Sequence, residues 1–347
     1  MKNYKGIESR NYLVDNLKVI LMFAVVFGHT IEHYIDQNYI LRGIYIYIYI
    51  FHMPLFIFVS GYLSKKSVKS NKKIVEKLLI PYIFFNILWY IGVYIVTGEN
   101  MFSIFYPGWT LWYLISLFFW RISLKYITKI KYVIPISFML GLIIGLDSIA
   151  ENFLSISRTI VFLPFFLMGY YTDEIRLKKI NNFNKGISLL IVSLFILISM
   201  YIAKDQIVNY KFLYNSHAYY TNNLSIVDGV LFRSILYVFS IILSIGVINL
   251  MPSKKMFYSK FGKNTMNVYV FHIYLIVIVL KLIPRWNIDL FSNIIIIVSP
   301  FLIMFILSLD FVKKIYNYIF NPIIYIFEYI MKFIKHIYYM ISRIYKH

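Results

Sequence analysis

The residues best able to do chemistry are polar side chains that interrupt long apolar runs. The first such run contains Lys18 and His29, and Glu32 and His33 follow one turn later. Imidazole suits general base catalysis because its ordinary pKa, about 6.5, lies near neutral pH. A carboxylate three residues away on a helix can orient the ring, so the sequence predicts that Glu32 supports His29 as a base. The alternative is that His29 is a packing residue and that Glu32 and His33 only mark the end of a helix.

Lys18 and His29 have the spacing of residues on one helix face. Eleven residues correspond to about 1100° of rotation, so the two side chains project within about 20° of each other. The same spacing separates them along the axis by roughly 16.5 Å. Asp15 precedes Lys18 by three residues and is expected to pair with it. The pattern predicts a base and a paired cation at different depths of one helix, unless Asp15 and Lys18 are simply interfacial residues.

The elements that carry these residues follow from the composition. Residues of the set AVILMFWYC make up 60% of the 347 positions, charged residues make up 14%, and the mean hydropathy is +0.71. A soluble domain has about 45–50% apolar and about 25% charged residues, so an ordinary water-soluble globule is excluded. The absence of cysteine excludes disulfides, thiolate metal sites and a cysteine nucleophile. We expect an all-α polytopic membrane protein with no metal and no permanently bound cofactor.

Ten apolar runs have the length of membrane-spanning helices. The runs lie at about 13–34, 44–63, 78–97, 109–127, 130–147, 156–172, 186–203, 230–250, 265–284 and 290–310. The repeat IYIYIYI in the second run resembles a strand, but a lone strand would leave its backbone unpaired in lipid, so we expect a helix there. No cleavable signal peptide is expected, because the first run begins after Arg10 and lacks a small-residue cleavage site.

The formal net charge of +20 is distributed as the positive-inside rule requires. Eighteen of the 35 Lys and Arg residues lie in four alternate loops, and only six lie in the five loops between them. We therefore expect both termini in the cytoplasm. The high content of Ile, Tyr, Lys and Asn fits an AT-rich bacterial genome, so the expected location is a bacterial inner membrane. The basic residues are dispersed over loops between apolar runs, which does not support nucleic-acid binding.

The C-terminal segment differs from the ten runs. Residues 311–347 place isoleucines three and four apart with lysine and arginine between them. This pattern predicts a basic amphipathic cytoplasmic tail that lies on the inner leaflet or packs against a partner. We accordingly divide the chain into a membrane domain, residues 1–310, and this tail.

Further polar residues lie in other runs. His52 is expected roughly 12 Å below the outer surface and His29 roughly 8 Å below it, so the two imidazoles should share a layer. Arg158 opens the sixth run from the outer side, and Trp112 opens the fourth, where an interfacial aromatic belt is an alternative explanation. His272 lies in the ninth run, where a structural role suffices.

Six stretches of the sequence resemble, in order, the blocks of the acyltransferase-3 family of integral-membrane acyltransferases, and most closely its fucose 4-O-acetylase-like branch. These stretches are YLVDNLKVILMFAVVFGHT, FHMPLFIFVSGYLSKK, LLIPYIFFN, TLWYLISLFFWR, RTIVFLPFFLMGYY and FGKNTMNVYVFH. They extend from Tyr12 to His272, about three quarters of the chain. Each stretch is mostly apolar and weak alone, but six in the same order are a specific signal.

The resemblance implies a ten-helix membrane domain that transfers an acyl group, usually acetyl from acetyl-CoA, to a carbohydrate hydroxyl of the cell envelope. The family's basic-x10-His motif falls on Lys18 and His29, with Lys in place of the frequent Arg. Its SG(F/Y) motif begins at Ser60, and the arginine before its PFF stretch falls on Arg158. Only the membrane module is expected here, without an appended soluble SGNH-type domain.

These observations define a working hypothesis. His29 is the expected base, oriented by Glu32, and His52 positions the acceptor or substitutes as the base. The expected acceptor is an envelope polysaccharide or a glycolipid. The residues expected to bind acyl-CoA, this acceptor or the developing oxyanion are Asp15, Lys18, Ser60, Asn86, Trp112 and Arg158. Direct transfer and an acyl-enzyme intermediate both remain open. The alternatives from other classes are a multipass permease or flippase for an envelope glycolipid and an inactive membrane scaffold.

Overall fold

The protein is described from a computed structural model that covers residues 10–65, 71–207, 209–283 and 290–344, and the side chains of residues 290, 291, 335 and 338–344 are not described. Within these ranges the regular secondary structure is helical, without a β-strand. The helices are α1 Tyr12–Ile31, α2 Tyr39–Ser64, α3 Asn71–Thr97, α4 Trp112–Ile127, α5 Val133–Ile143, α6 Ile156–Tyr171, α7 Glu174–Asn181, α8 Lys185–Asp205, α9 Ile226–Leu250, α10 Thr265–Leu282, α11 Leu290–Leu307 and α12 Asp310–Ile344.

Each of the ten predicted apolar runs forms a helix, but the predicted number of spans is not reproduced. By length and composition, 7 helices of the described residues can cross a membrane, or 8 if the bent pair Ser292–Leu307 and Asp310–Ile334 is one span. The 16-residue α4 extends about 24 Å, less than the hydrocarbon thickness of about 30 Å, and the apolar helix Val133–Leu146 is shorter still. The protein is therefore a polytopic membrane protein whose fourth and fifth runs are short.

The two N-terminal helices form the centre of the helix bundle. In both α1 and α2, 72% of the most apolar window is buried inside the protein, whereas the corresponding share in α8 is 22%. Asn11 caps α1 by accepting a hydrogen bond from the Val14 amide, and Asn38 caps α2 in the same way. The repeat IYIYIYI is helical within α2, as predicted. The helices that carry the candidate histidines are thus shielded from lipid by the others.

Close packing of α2 against α6 depends on two glycines. A Cβ at Gly61 would lie 2.0 Å from the Phe166 carbonyl oxygen, and a Cβ at Gly169 would lie 1.9 Å from the Phe58 carbonyl oxygen. Small residues allow such close backbone approach between membrane helices, where van der Waals packing provides much of the stability. The crossing fixes the position of Arg158 on α6 relative to His52 on α2.

The C-terminal segment forms the long helix α12, which makes an angle of 60° with the preceding helix. Phe320 anchors it by packing against Phe84 and Phe85 of α3. Lys72 at the start of α3 adds an ion pair to Glu328, with 2.7 Å between Nζ and Oε1. Its placement on the inner leaflet, and with it the proposed domain boundary, stays a prediction.

Candidate active site

A cavity of about 200 Å³ lies between α1, α2, α4, α6 and the short helical turn Tyr210–Tyr214. Five of the predicted site residues line it, namely His29, Glu32, His52, Trp112 and Arg158. The remaining wall is mainly aromatic and apolar and includes Tyr49, Met53, Phe162 and Tyr214. We call this space the outer cavity. It combines titratable groups with apolar walls, as small-molecule sites commonly do.

His29 is held in one tautomer by its neighbour on the helix. Its Nδ1 lies 3.1 Å from Glu32 Oε2. Since an ionised carboxylate can only accept, Nδ1 carries the proton and Nε2 keeps its lone pair. The Tyr214 hydroxyl donates to the other carboxylate oxygen, Oε1, at 3.0 Å. Glu32 is thereby fixed from both sides, and the predicted pairing of His29 with Glu32 is present.

The environment of Tyr214 keeps its hydroxyl protonated, so that it can donate a hydrogen bond. Burial and the nearby Glu32 carboxylate raise the pKa of its phenol well above the usual range. Its hydroxyl is also 3.2 Å from that of Tyr45. Tyr214 lies in the loop between the runs at 186–203 and 230–250, so the hydrophobic pattern of the sequence does not indicate its role.

His52 also has a defined tautomer. It is 2% exposed, and its Nδ1 donates to the Ile48 carbonyl oxygen at 2.8 Å. A neutral ring therefore has the lone pair on Nε2. The Tyr49 ring packs edge-on against His52, with 4.6 Å between the centroids. His52 is thus a second imidazole that lines the outer cavity together with His29.

Arg158 supplies a fixed positive charge to the outer cavity. Its Nε donates to the Tyr214 carbonyl oxygen at 3.1 Å, and its guanidinium carbon lies 5.1 Å from the centroid of the Trp112 ring. Among the described residues, no carboxylate lies within ion-pair distance of Arg158. A cation stacked on an indole and held by a backbone carbonyl is ordered without being neutralised.

His272 belongs to this cluster, although the sequence suggested only a structural role. Its ring centroid lies 5.6 Å from that of His29. Nδ1 donates to the carbonyl oxygens of Val268 and Tyr269, while Nε2 is buried and has no hydrogen-bond partner within the described part of the chain. The signal that could have revealed it is its position at the end of the last family-like stretch.

A second cavity, of about 770 Å³, lies at the opposite end of α1. Asp15 and Lys18 line it, together with Arg10, Lys65 and Lys178. Asp15 pairs with Lys18 at 2.8 Å between Oδ1 and Nζ, and its other oxygen binds Arg10. We call this space the inner cavity. The predicted pairing of Asp15 with Lys18 is present, but at a site separate from the histidines.

A small, mainly apolar void lies along α1 between the two cavities. Met22, Val25 and His29 line a void of about 20 Å³ together with residues of α2, α4 and α10. Lys18, Met22, Val25 and His29 are spaced four, three and four residues apart, so they share one face of α1. That single face contacts the inner cavity, the void and the outer cavity in turn.

Ser60 and Asn86 line neither cavity. Ser60 donates to the Phe56 carbonyl oxygen at 2.9 Å, and its hydroxyl lies 2.6 Å from that of Tyr113, which lines the void. Asn86 is 1% exposed and holds the loop before α4. Its side-chain amide donates to the Ser103 carbonyl oxygen at 2.8 Å and accepts from the Gly108 amide at 2.7 Å. The structure places both residues where they position other groups.

The loop before α4, which Asn86 holds, places Trp109 against His29 and His33. The Trp109 ring lies edge-on to His29, with 5.5 Å between the centroids, and edge-on to His33, at 5.9 Å. It also meets Trp89 at 5.9 Å. Over the residues that the structure covers, no group of three or more His, Asp or Glu side chains could hold a metal ion. The chemistry assembled here is that of an imidazole base, a supporting carboxylate and a guanidinium.

A bundle of apolar helices that encloses a cavity lined by histidines is typical of a polytopic membrane protein with an internal polar site, and comparison with known proteins specifies its class. The family model described as "Acyltransferase domain" matches residues 11–313, so the chain belongs to the acyltransferase-3 family and is an acyltransferase. No solved structure matches the chain.

Two curated relatives match a shorter stretch. The chain is 38% identical over 66 residues to "Nodulation protein NolL" of Sinorhizobium fredii and, equally, to "Nodulation protein NolL" of Mesorhizobium japonicum. Each match covers 18% of this chain and 18% of the relative. The chain therefore aligns with less than a fifth of either relative's length, and their names do not establish its branch or substrate.

Proposed function

We propose that this protein transfers an acetyl group from acetyl-CoA to a sugar hydroxyl of a cell-envelope glycan, as in the fucose 4-O-acetylase-like branch. The observation that carries the proposal is the single face of α1 that runs from Lys18 in the inner cavity to His29 in the outer cavity. A donor held at one end of this face can present its reactive group to a base at the other end.

The outer cavity supplies the groups that O-acylation requires. His29 Nε2 accepts the proton of the sugar hydroxyl while that oxygen attacks the thioester carbonyl. Glu32 stabilises the imidazolium that forms, and Arg158 stabilises the negative charge on the carbonyl oxygen. The carbon–oxygen bond forms, the carbon–sulfur bond breaks, and the imidazolium returns its proton to the departing CoA thiolate. His52 and Trp112 position the acceptor.

The inner cavity suits the nucleotide of acetyl-CoA. Its volume of about 770 Å³ lies within the range of about 300–1,000 Å³ typical of ligand sites. Arg10, Lys18, Lys65 and Lys178 provide cations for phosphate groups, although Asp15 pairs with Arg10 and Lys18 and Glu174 pairs with Lys178. The pantetheine arm extends from here past Met22 and Val25, over the roughly 16.5 Å that separates Lys18 from His29 along the axis.

The distribution of charge supports the orientation. Lys65 directly follows α2, and Lys178 lies on the short helix α7, so both belong to basic segments between the apolar runs. Under the positive-inside rule, those segments face the cytoplasm, where CoA is present. The proposal therefore places the inner cavity on the cytoplasmic side of a bacterial inner membrane, with the termini on that side and the acceptor on the other.

The function is tested by supplying purified protein with radiolabelled acetyl-CoA and a saccharide extract of the cell envelope. We expect the saccharide to gain label and the mass of one acetyl group per modified hydroxyl. The His29→Ala variant should lose about 10²–10⁴-fold in rate. Equal labelling by this variant would contradict the assignment of the base. Movement of an unmodified glycolipid across vesicles, without a change in mass, would instead support a permease.

A further inference from the structure

An apolar groove adjoins the outer cavity on its lipid side. It has a volume of about 100 Å³ and lies between α2, α8, α9 and the turn Tyr210–Tyr214. Its walls include Ile50, Ile202, Phe212, Leu236 and Phe239. The groove lies in the half of the bundle that contains His29, because Ile50 and Phe239 are each within about 20 Å of the outer ends of their helices.

One short turn separates this groove from the catalytic groups. Leu213 lines both the groove and the outer cavity. The next residue, Tyr214, donates to Glu32 at 3.0 Å, and its carbonyl oxygen accepts from Arg158 at 3.1 Å. Leu213 is therefore shared by the groove and by the cavity that contains His29, Glu32 and Arg158.

The groove is continuous with the lipid-facing surface. Ile235, which lines it, is 39% exposed, and Val238 on the next turn of α9 is 53% exposed. These side chains lie within a helix that is long and apolar enough to cross a membrane. The groove accordingly opens towards hydrocarbon, whereas the outer cavity that it joins contains charged and polar groups.

We propose that this groove binds part of the hydrocarbon chain of a lipid-linked sugar acceptor, so that the saccharide enters the outer cavity from the membrane. The inference rests on the proposed acyl transfer and specifies its acceptor class. A volume of 100 Å³ equals that of about three water molecules, so the groove holds a short length of chain while the rest remains in the bilayer.

The rim of the groove suits the phosphate that joins lipid to sugar in such acceptors. Lys204 and Lys211 are exposed at its outer end, next to the groove residues Ile202, Tyr210 and Phe212. They are two of the six basic residues in the loops that are otherwise poor in positive charge. Asp36 and Asp205 lie at the same end, so the apolar contact with the chain provides most of the selectivity.

The test compares two forms of one acceptor. Lipid-linked saccharides are extracted from cell membranes, and half of the extract is treated with mild acid to release the sugar from its lipid. Wild-type protein with radiolabelled acetyl-CoA should show a KM at least about tenfold lower for the lipid-linked form. Leu236→Trp, which fills the groove, should raise that KM about tenfold and leave the rate on the released sugar unchanged. Val238→Trp is the matched control, since this residue faces lipid outside the groove.

A binding measurement separates this inference from the proposed function. Wild-type protein in phospholipid nanodiscs is irradiated with a polyprenyl phosphate that carries a diazirine in its chain. We expect label in residues 232–239, displaced by unlabelled polyprenyl phosphate but not by excess phosphatidylglycerol. Equal displacement by phosphatidylglycerol, or equal KM values for the two acceptor forms, would overturn the inference and leave acyl transfer intact. Labelling of the groove without acetylation of either acceptor would instead contradict the proposed function.

Discussion

Glu32 Oε2 lies 3.1 Å from His29 Nδ1, three residues away along the chain, and this contact determines which ring nitrogen is free to act as a base. The Glu32 carboxylate can act on the His29 ring in three ways. It fixes the tautomer and orients the ring, and in the proposed mechanism it also stabilises the imidazolium during proton transfer. The carboxylate is in turn held by Tyr214, which belongs to a distant loop. The base is thus assembled locally on α1 and ordered by tertiary structure.

We expect Glu32→Gln to reduce kcat by about 10²–10⁴-fold, because the amide cannot stabilise an imidazolium as a carboxylate does. The measurement is the steady-state rate of acetylation by purified protein. His336→Ala is the control, since this histidine lies on α12, remote from both cavities. A Glu32→Gln variant as active as the control would show that His29 needs no anionic partner.

Removal of the Tyr214 hydroxyl tests whether the loop orders the base. A hydrogen bond to a charged group contributes about 1.5–3 kcal/mol, so Tyr214→Phe should lower kcat by roughly tenfold to a hundredfold. Tyr90→Phe is the matched control, because the Tyr90 hydroxyl donates to the Tyr106 carbonyl oxygen at 2.9 Å and Tyr90 lines neither cavity nor the groove. If both variants retain the wild-type rate, the Tyr214 contact with Glu32 is incidental.

Arg158 should not be replaceable by lysine. Arg158→Ala is expected to lower kcat by about 10²–10³-fold through loss of oxyanion stabilisation. Arg158→Lys keeps the charge but loses the planar stacking on Trp112, so we expect it to recover only part of this loss. The kinetic readout is kcat at saturating acetyl-CoA. Full activity of Arg158→Lys would mean that charge alone suffices.

A bulkier side chain in the void between the two cavities should block the proposed route of the donor along α1. Val25 is 5% exposed and lines a void of about 20 Å³, so Val25→Phe should obstruct the route of the pantetheine arm. We expect acetyl transfer to fall at least about tenfold, while binding of CoA to the inner cavity, measured by calorimetry, is unchanged. Retained CoA binding also shows that the variant is folded. Unimpaired transfer would place the route of the donor elsewhere.

A separate prediction concerns the loop of residues 209–225, which is held by hydrogen bonds to Glu151. Burial alone would raise the pKa of Glu151, but hydrogen bonds from Thr221, the Ala218 amide and His217 lower it below its ordinary value of 4.5. A lowered pKa in the folded state stabilises the protein above the ordinary value and loses that contribution as the pH falls through the folded pKa.

We therefore expect amide exchange in residues 209–225 to accelerate as the pH falls below 4.5, after correction for the intrinsic exchange rate. Glu151→Gln should remove this dependence and expose the loop at neutral pH. Glu99→Gln changes an exposed carboxylate in another loop and provides the control. A loop whose protection is independent of pH in wild-type protein would contradict this role of Glu151.

The sequence predicts the helices well because hydrophobic runs of spanning length leave few alternatives. It also predicts the pairs Asp15 with Lys18 and His29 with Glu32, since both depend only on helical periodicity. The runs at 109–127 and 130–147 predict full spans, but α4 and Val133–Leu146 are shorter, because apolar composition does not reveal where a helix ends. Local pattern thus specifies helix positions better than it specifies the number of crossings.

The residues that the sequence did not assign are those brought to the site by tertiary structure. His272 approaches His29 because α10 packs against α1, and Tyr214 reaches Glu32 from a loop with no hydrophobic period. Conversely, Ser60 is predicted as a site residue from a motif, yet its hydroxyl contacts Tyr113 outside both cavities. Such relationships depend on packing between helices that are distant in sequence.

The most direct test of the account is an acetylation assay across a membrane. Purified protein is reconstituted in vesicles, the orientation is determined by protease accessibility of the C-terminal tail, and membrane-impermeant radiolabelled acetyl-CoA is added on the side of the tail. The saccharide acceptor is present only on the opposite side. We predict that wild-type protein labels the acceptor and that His29→Ala does not. Labelling that requires acetyl-CoA and acceptor on the same side, or that persists in His29→Ala, would contradict the account.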